Sequence, residues 1–367
     1  MKKNPVRVLI VSTLPRFTLS LTRTAALAGF QPIVLTDKRW GLDCLSRYVS
    51  HRFVIEQGAF KSDFEGAIAR INQLIASHQI KIIIPADTVC TRMLAQCREQ
   101  IQGASLFPLS SSDLIEEMYD KWDFAKILET HDLPMPKTRL IEAFDQVDAL
   151  DLEFPVIVKP PQGESGIGIH RIDDREALRQ AVKGCETEKS LPLLVQEWLP
   201  GYDIDLSLLA NHGELVAWTV QQKEGDNLRF VDYPQMVEIG RKLCQVSSYH
   251  GVAHIDMRVD QRTGEVKVIE CNPRFWGSLM YSTWMGVNFL ALGVQLIQPV
   301  DEAAFQPVKG LCKHPLLTRS ELNRWIKQGF QAPTDWHGER KNIWWHQILD
   351  PAPEWFDWFS TKRTSKS

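Results

Sequence analysis

The sequence predicts an α/β chain in which a small parallel sheet is followed by two lobes of mixed α+β structure. Three observations carry this expectation. Residues 1–110 alternate apolar runs with helical patterns, a glycine-rich loop separates two strands after residue 159, and two short strands meet at a polar turn around Thr263. Apolar runs without alternation mark strands buried on both faces, and their interleaving with helices marks a parallel sheet with crossovers. At 367 residues there is room for two or three cores, and 24% charged with 44% hydrophobic residues is ordinary for a soluble globular chain.

The opening elements follow in order. Residues 6–11 read as a buried strand, 19–28 as a helix stopped by Gly29, 32–35 as a second strand ending at Thr36-Asp37, 64–76 as a helix, and 80–85 as a further strand. After the first strand stands Ser12-Thr13-Leu14-Pro15-Arg16 instead of a G-x-G-x-x-G turn, so a dinucleotide site is not expected there. Asp37 is expected to be a turn residue. Asp87 or Thr88 is expected to cap the helix after the 80–85 strand, at an edge that suits a substrate.

The formal charge of −3 gives no electrostatic reason to expect nucleic acid. Seven cysteines without a C-x-x-C pair indicate neither a disulfide framework nor a zinc site. The first apolar run is too short for a signal peptide or a membrane span, and the expected setting is reducing and cytoplasmic.

From 110 onward the sequence acquires anion-binding features. Ser110 to Asp113 offers helix caps, with Glu116 placed for a capping box, and the helical pattern runs through Lys121 to Thr130. Strand 154–159 ends in an inward lysine, Lys159, which is costly to bury unless it meets an anion. Gly163, Ser165, Gly166 and Gly168 follow in one loop, where glycines let backbone N–H groups approach a polyphosphate. The loop lacks the Lys-Ser/Thr ending of a Walker A motif. Strand 193–197 runs into Pro200-Gly201, strands 205–211 and 214–222 form a hairpin about His212-Gly213, and 237–249 is helical.

Strands 254–260 and 266–272 then pair across the turn 261–265. Folding them about Thr263 sets Asp256 opposite Glu270, with Asn272 on the same face, Arg258 beside Asp256 and Arg274 just beyond the strand. Hard oxygen donors of this kind suit Mg²⁺ and guanidinium groups suit anionic oxygens beside it. A surface hairpin with a plain Asp256–Arg258 ion pair is the competing reading. The Asn-Pro break, which stops the strand where the donors are presented, argues against it.

Glu270-Cys271-Asn272-Pro273-Arg274-Phe275, preceded by His254-Ile255-Asp256, resembles the metal-binding end of the ATP-grasp ligases, a superfamily that includes carbamoyl-phosphate synthetase, biotin carboxylase and D-alanine–D-alanine ligase. The resemblance extends upstream through Lys121, the Val-Lys-Pro strand with its glycine loop, and the strand before Pro200. It implies a Rossmann-like domain at 1–110 that shapes part of the second substrate's site. A two-lobe ATP-grasp domain at 111–300 would follow, divided into 111–192 and 193–300, with an aromatic-rich extension at 301–367. It implies ATP and Mg²⁺ (or Mn²⁺) as cofactors. Lys121, Lys159 and the loop Gly163, Ser165, Gly166 and Gly168 would hold phosphates, and Glu197, Trp198 and Leu199 would meet adenine. Asp203, with Asp205 as competitor, would take the ribose. Asp256, Glu270 and Asn272 would bind the metal, and Arg274, Lys159 and Arg258 would serve the transfer. The implied activity joins a small-molecule carboxylate to an amine through an acyl phosphate, with no nucleic acid and no membrane span; a homo-oligomer is compatible with it. Carboxyphosphate chemistry on bicarbonate, or a non-catalytic ATP-binding role, are the alternatives. Tryptophans 325, 336, 344, 345, 355 and 358 are expected to pack the tail onto the core.

Overall fold

The computed structural model describes residues 5–164, 166–187, 190–225, 227–298, 304–312 and 350–353. Ser165 and the six tail tryptophans lie outside them. The parallel sheet forms from β1 (Arg7–Ser12), β2 (Gln31–Thr36), β3 (His51–Val54), β4 (Ile82–Pro85) and β5 (Ser105–Leu106), in the order β3-β2-β1-β4-β5. β1, β2 and β4 are the apolar runs, whereas β3 and β5 are short edge strands that carry no sustained apolar pattern. The helix after β1 spans Pro15–Leu27, starting earlier than its apolar periodicity suggests, because Pro15 fits the first helical turn.

Alternate residues of β1 and β4 enter two different cores. Leu9, Val11 and Ile83 pack against Ile68, Ile71 and Leu94 of the crossover helices. Val8, Ile10, Ile82 and Ile84 pack with Leu21 and Ala25, and also with Phe275, Trp276 and Phe289 from the far end of the chain. That second core joins the parallel sheet to the next layers, so its carboxyl edge faces them.

A four-stranded antiparallel sheet, in the order β6-β9-β7-β8, contains β6 (Thr138–Ile141), β7 (Val156–Lys159), β8 (His170–Ile172) and β9 (Leu193–Glu197). Leu178 and Val182 of the helix Arg175–Thr187 cover it. The largest sheet has the order β14-β13-β10-β11-β12-β15. Its strands are β10 (Gly201–Asn211), β11 (Glu214–Glu224), β12 (Asn227–Val231), β13 (Gly251–Asp260), β14 (Val266–Asn272) and β15 (Gly310–Cys312). The β10–β11 turn places His212 (φ 47°) and Gly213 (φ 92°) in left-handed backbone, the geometry that matches the twist of a two-residue hairpin. One face packs Ile204, Leu206, Ile255 and Met257 against Met236, Ile239 and Leu243 of the helix Pro234–Ser247. Gly240 of that helix is required by close approach: a Cβ there would lie 2.3 Å from Leu206 Cδ2.

Two features beyond residue 300 differ from a tail without core signals. β15 pairs with β12, and Cys312 is fully buried. Asp350 is also buried: its carboxylate accepts from Arg23 Nε (2.8 Å), Ser46 Oγ (2.9 Å) and the Arg47 N–H (2.8 Å). Removing one partner of a buried ion pair strands the other charge, at a cost of about 3–5 kcal/mol. Asp350→Ala should therefore lower the unfolding free energy measured by urea titration by that order, and an unchanged midpoint would show the anchor to be idle.

Candidate active site

Pairing across the large sheet sets polar residues in rows. Asp256 of β13 lies opposite Asp205 of β10 on one side and Glu270 of β14 on the other. His254 lies between Ser207 and Asn272 in the same way, and Arg258 opposes Asp203. Strand alternation puts these residues on one face and Ile204, Leu206, Ile255 and Met257 on the other. A bulge keeps Glu270 in its row. The register shifts after Asp256, with Met257 opposite Val268, so Ile269 is the extra residue. By simple alternation Glu270 would follow Val266 and Val268 into the core.

The row is electrostatically tense. Burial, then the carboxylates of Glu270 and Asp205, push Asp256 well above the usual carboxylate range. Burial, then Asp203, raises Asp205 to about 7. His254 offers no compensating charge: burial and then Arg274 lower it to about 3, so the imidazole is neutral. Its Nδ1 shares a 2.9 Å hydrogen bond with Ser207 Oγ, its ring stacks on Trp276, and its Nε2 lies 3.5 Å from Asp256 and 3.8 Å from Asp205. Donor atoms of Asp205, His254 and Asp256 all fall within 4.8 Å of one another. With Glu270 opposite, this oxygen-rich set fits a hard divalent cation, which would relieve the repulsion. Asn272 turns its Oδ1 to Arg274, from which it accepts at 2.9 Å.

Two lysines face this row from the other lobe. The helical pattern breaks at Asp120, whose side chain caps a new helix, Lys121–Thr130; Ser111, not Asp113, caps the preceding one, and Glu116 pairs with Arg92 instead of closing a capping box. The break puts Lys121 at the start of the new helix, with its Nζ 2.8 Å from the Gly163 carbonyl and 3.5 Å from Glu270. Lys159 is buried as expected, and its Nζ donates to Gln196 Oε1 at 3.0 Å. Burial lowers Lys159 to about 8, with Glu270 acting in the opposite direction. Gln196 is in turn held by Thr138. Sequence reasoning missed Gln196, although a glutamine in an apolar strand was the available signal.

The segment from Glu197 to Gly201, the hinge between the two lobes, is built differently from expectation. Arg258 donates to the carbonyls of Leu199 (2.7 Å) and Gly201 (2.8 Å) and to Asp203, so the structure places its guanidinium at the hinge, not beside the carboxylate row. The Glu197 N–H donates to Lys137 and its carboxylate accepts from Arg262, while Arg171 lies over the Trp198 ring at 4.4 Å. Asp203 is exposed on this side, whereas Asp205 belongs to the carboxylate row.

Arg274 forms the junction. It donates to Thr88 Oγ1 (2.8 Å), Asn272 Oδ1 (2.9 Å) and the Phe275 carbonyl (2.9 Å), and forms an ion pair with Glu164 of the glycine loop (3.3 Å). Thr88 also bonds Glu164. Asp87 is the helix cap, which leaves Thr88 free for this contact. Gly163, Gly166 and Gly168 all adopt positive φ. Lys121, Lys159, Glu164, Gly166 and Glu270 line one narrow pocket at this junction.

The family comparisons agree with this geometry. A model described as "ATP-grasp in the biosynthetic pathway with Ter operon" matches residues 189–313, and one described as "D-ala D-ala ligase C-terminus" matches 127–238. Across residues 127–313 the chain is similar to the ATP-grasp superfamily. The D-aspartate ligase of Enterococcus faecium is 23% identical over 56% of this chain and 56% of its own length. The D-alanine–D-alanine ligase of Carboxydothermus hydrogenoformans is 27% identical over 45% and 60%. The matched region thus spans little more than half the length of either relative. The fold is shared with N5-carboxyaminoimidazole synthetase from Staphylococcus aureus, solved with ADP, at TM-score 0.66 and 15% identity over 92% of this chain and 93% of that one. Among the described residues no helix is long and apolar enough to cross a membrane.

The raised Asp205 has a measurable signature. Its carboxyl is pushed up to about 7 in the fold from an ordinary 3.8, so the folded state holds the extra proton in between and loses stability as pH rises through that window. Asp205→Asn should raise the melting temperature of the metal-free chain by several degrees at pH 8 and leave it nearly unchanged at pH 4. Equal shifts at both values would remove the electrostatic explanation.

Proposed function

We propose that this chain is an ATP-dependent ligase that activates a small-molecule carboxylate as an acyl phosphate, forming ADP, for attack by an amine. The observation that carries the reading is Arg274. Its guanidinium meets the carboxylate row through Asn272, the glycine loop through Glu164 and the parallel-sheet edge through Thr88. A carboxylate already sits on that arginine, and a substrate carboxylate would take the same place once Glu164 withdraws.

In this reading Lys121, Lys159 and the backbone of Gly163, Gly166 and Gly168 hold the nucleotide phosphates, Glu197 to Leu199 border the adenine, and Asp203 takes the ribose. Asp256, Glu270 and Asn272 hold Mg²⁺ (or Mn²⁺), with Asp205 beside them; when bound, the ion neutralises phosphate charge. Arg258 supports the hinge. A substrate carboxylate oxygen bonds to the γ-phosphorus while the bond to the ADP oxygen breaks. The free-base amine nitrogen then bonds to the acyl carbon, phosphate leaves with the electron pair of the C–O bond, and the nitrogen gives up one proton to that phosphate. Catalysis is positioning and charge stabilisation, which needs no side-chain nucleophile. Residues 1–110 would shape the acceptor site and 111–300 the nucleotide site. The names of the two ligase relatives and the ADP-bound fold neighbour support this reading. Against a non-catalytic role stands the crowded, partly buried carboxylate row, whose mutual repulsion is unfavourable unless a cation uses it.

The test is coupled ADP and phosphate release with Mg-ATP, using pooled carboxylates crossed with pooled amines. Release should require both pools, and Glu270→Gln should reduce it by about 10²–10³-fold without lowering the melting temperature. Release with bicarbonate alone would shift the reading to carboxyphosphate chemistry. Unaltered release by Glu270→Gln would overturn the metal assignment.

A further inference from the structure

The carboxyl edge of the parallel sheet opens on a cavity of about 450 Å³, room enough for a small organic molecule. Thr13, Asp37 and Thr88 line it from the ends of β1, β2 and β4, with Lys38, Lys61 and Glu164 completing the polar wall. Two buried acids stand at this edge, and their environments differ. Asp87 is fully engaged: one oxygen accepts from Ser12 Oγ and the N–H groups of Thr13 and Leu14, the other from the Cys90 N–H. It is a structural clamp on the loop after β1.

Asp37 is only half engaged. Oδ2 accepts from the Gly58 N–H at 3.0 Å, whereas Oδ1 is buried without a hydrogen-bond partner. Lys38 is the cation beside it, a side chain about one-third exposed whose Nζ lies 3.4 Å from Oδ1 and donates to Oδ2 at 3.5 Å. Only 5% of Asp37 is exposed, so bulk water does not solvate that oxygen freely. A buried carboxylate oxygen left open is destabilising, and a charged N–H donor completes it more strongly than a neutral one. Within the same cavity Lys61 offers a positive charge to an anionic group.

We propose that this cavity binds the acceptor substrate, a small primary amine that also carries an anionic group. Asp37 Oδ1 docks the ammonium, and Lys61 faces the anion. Asp37 is a specificity residue here. The proposal rests on the ligase reading for the meaning of "acceptor", but its test reads binding without turnover, so either can fail alone.

The experiment measures calorimetric binding to the full chain loaded with MgADP. The probes are glycine, β-alanine, aspartate and lysine, each beside its N-acetylated form (Nα-acetyl for lysine). At least one free amine should bind about tenfold or more tightly than its acetylated partner. Asp37→Asn, which retains an oxygen for the Gly58 N–H, should erase that preference while leaving ADP affinity unchanged. Lys38→Met should preserve the preference, since Lys38 is not the group the ligand needs. Should Asp37→Asn fail to fold, Lys61→Met supplies the second readout: it should weaken the preferred amino acid without weakening ethylamine. Binding by none of the free amines, equal binding of acetylated forms, a preference that survives Asp37→Asn, or its loss in Lys38→Met would each overturn the proposal.

Discussion

Asp205, Asp256 and Glu270 lie side by side across three neighbouring strands, and mutual repulsion is the constraint the surrounding structure has to meet. Two unit charges about 5 Å apart at an effective dielectric near 20 repel by roughly 3 kcal/mol. Three local responses are visible. Asp256 and Asp205 hold their protons to higher pH, Lys121 approaches Glu270 at 3.5 Å, and the opposite face of the sheet supplies a continuous apolar core from Ile204 to Val268. His254, partly buried and neutral, contributes donor geometry without charge.

Rigidity is distributed unevenly around that row. Phe275 and Trp276, which follow Arg274 directly, are buried in the same core as Val8, Ile10, Ile82 and Ile84 of the parallel sheet. The arginine is therefore fixed between two sheets. Its third neighbour, Glu164, stands on a loop whose glycines occupy left-handed backbone, where few packed side chains hold it. Glu164 is thus the partner held by the least packing, through Arg274 and Thr88 alone among the contacts at the junction, and it is the one that carries a competing carboxylate.

Much of this was legible in local sequence. The 254–272 hairpin, the pairing of Asp256 with Glu270, the buried Lys159, the glycine loop and the two-residue His212-Gly213 turn all depend on neighbours within one hairpin or one strand-loop unit. Contacts that depend on distant pairing were not. Asp205 joins the row because β10 pairs with β13, and no pattern near either strand announces that partnership. Arg258 looked like an anion ligand because its strand neighbours are acidic, yet the hinge carbonyls of Leu199 and Gly201 reach it first. The bulge at Ile269 was invisible because a symmetric fold about Thr263 gives the right partners beyond it and wrong ones only near the turn. Asp37 read as a turn residue, since an open buried oxygen is a property of its packing and not of its neighbours in the chain. Asp350 gave no local sign of its role, because its anchoring depends on Arg23 and Ser46, more than three hundred residues away.

The bulge at Ile269 also separates two kinds of register. β13 holds its place through continuous pairing with β10 from Gly201 to Ala210, so the donor rows are indexed to an interior strand. The turn at 261–265 is tied to a different segment, with the Gln261 N–H donating to the Pro200 carbonyl and Arg262 to the Glu197 carboxylate. Length variation between the turn and the bulge can be absorbed by relocating the irregularity, with Asp256 and Glu270 still face to face. The hairpin therefore behaves as a ruler with its zero mark at the centre of the sheet, and its far end is pinned to the end of β9 and the segment that follows it.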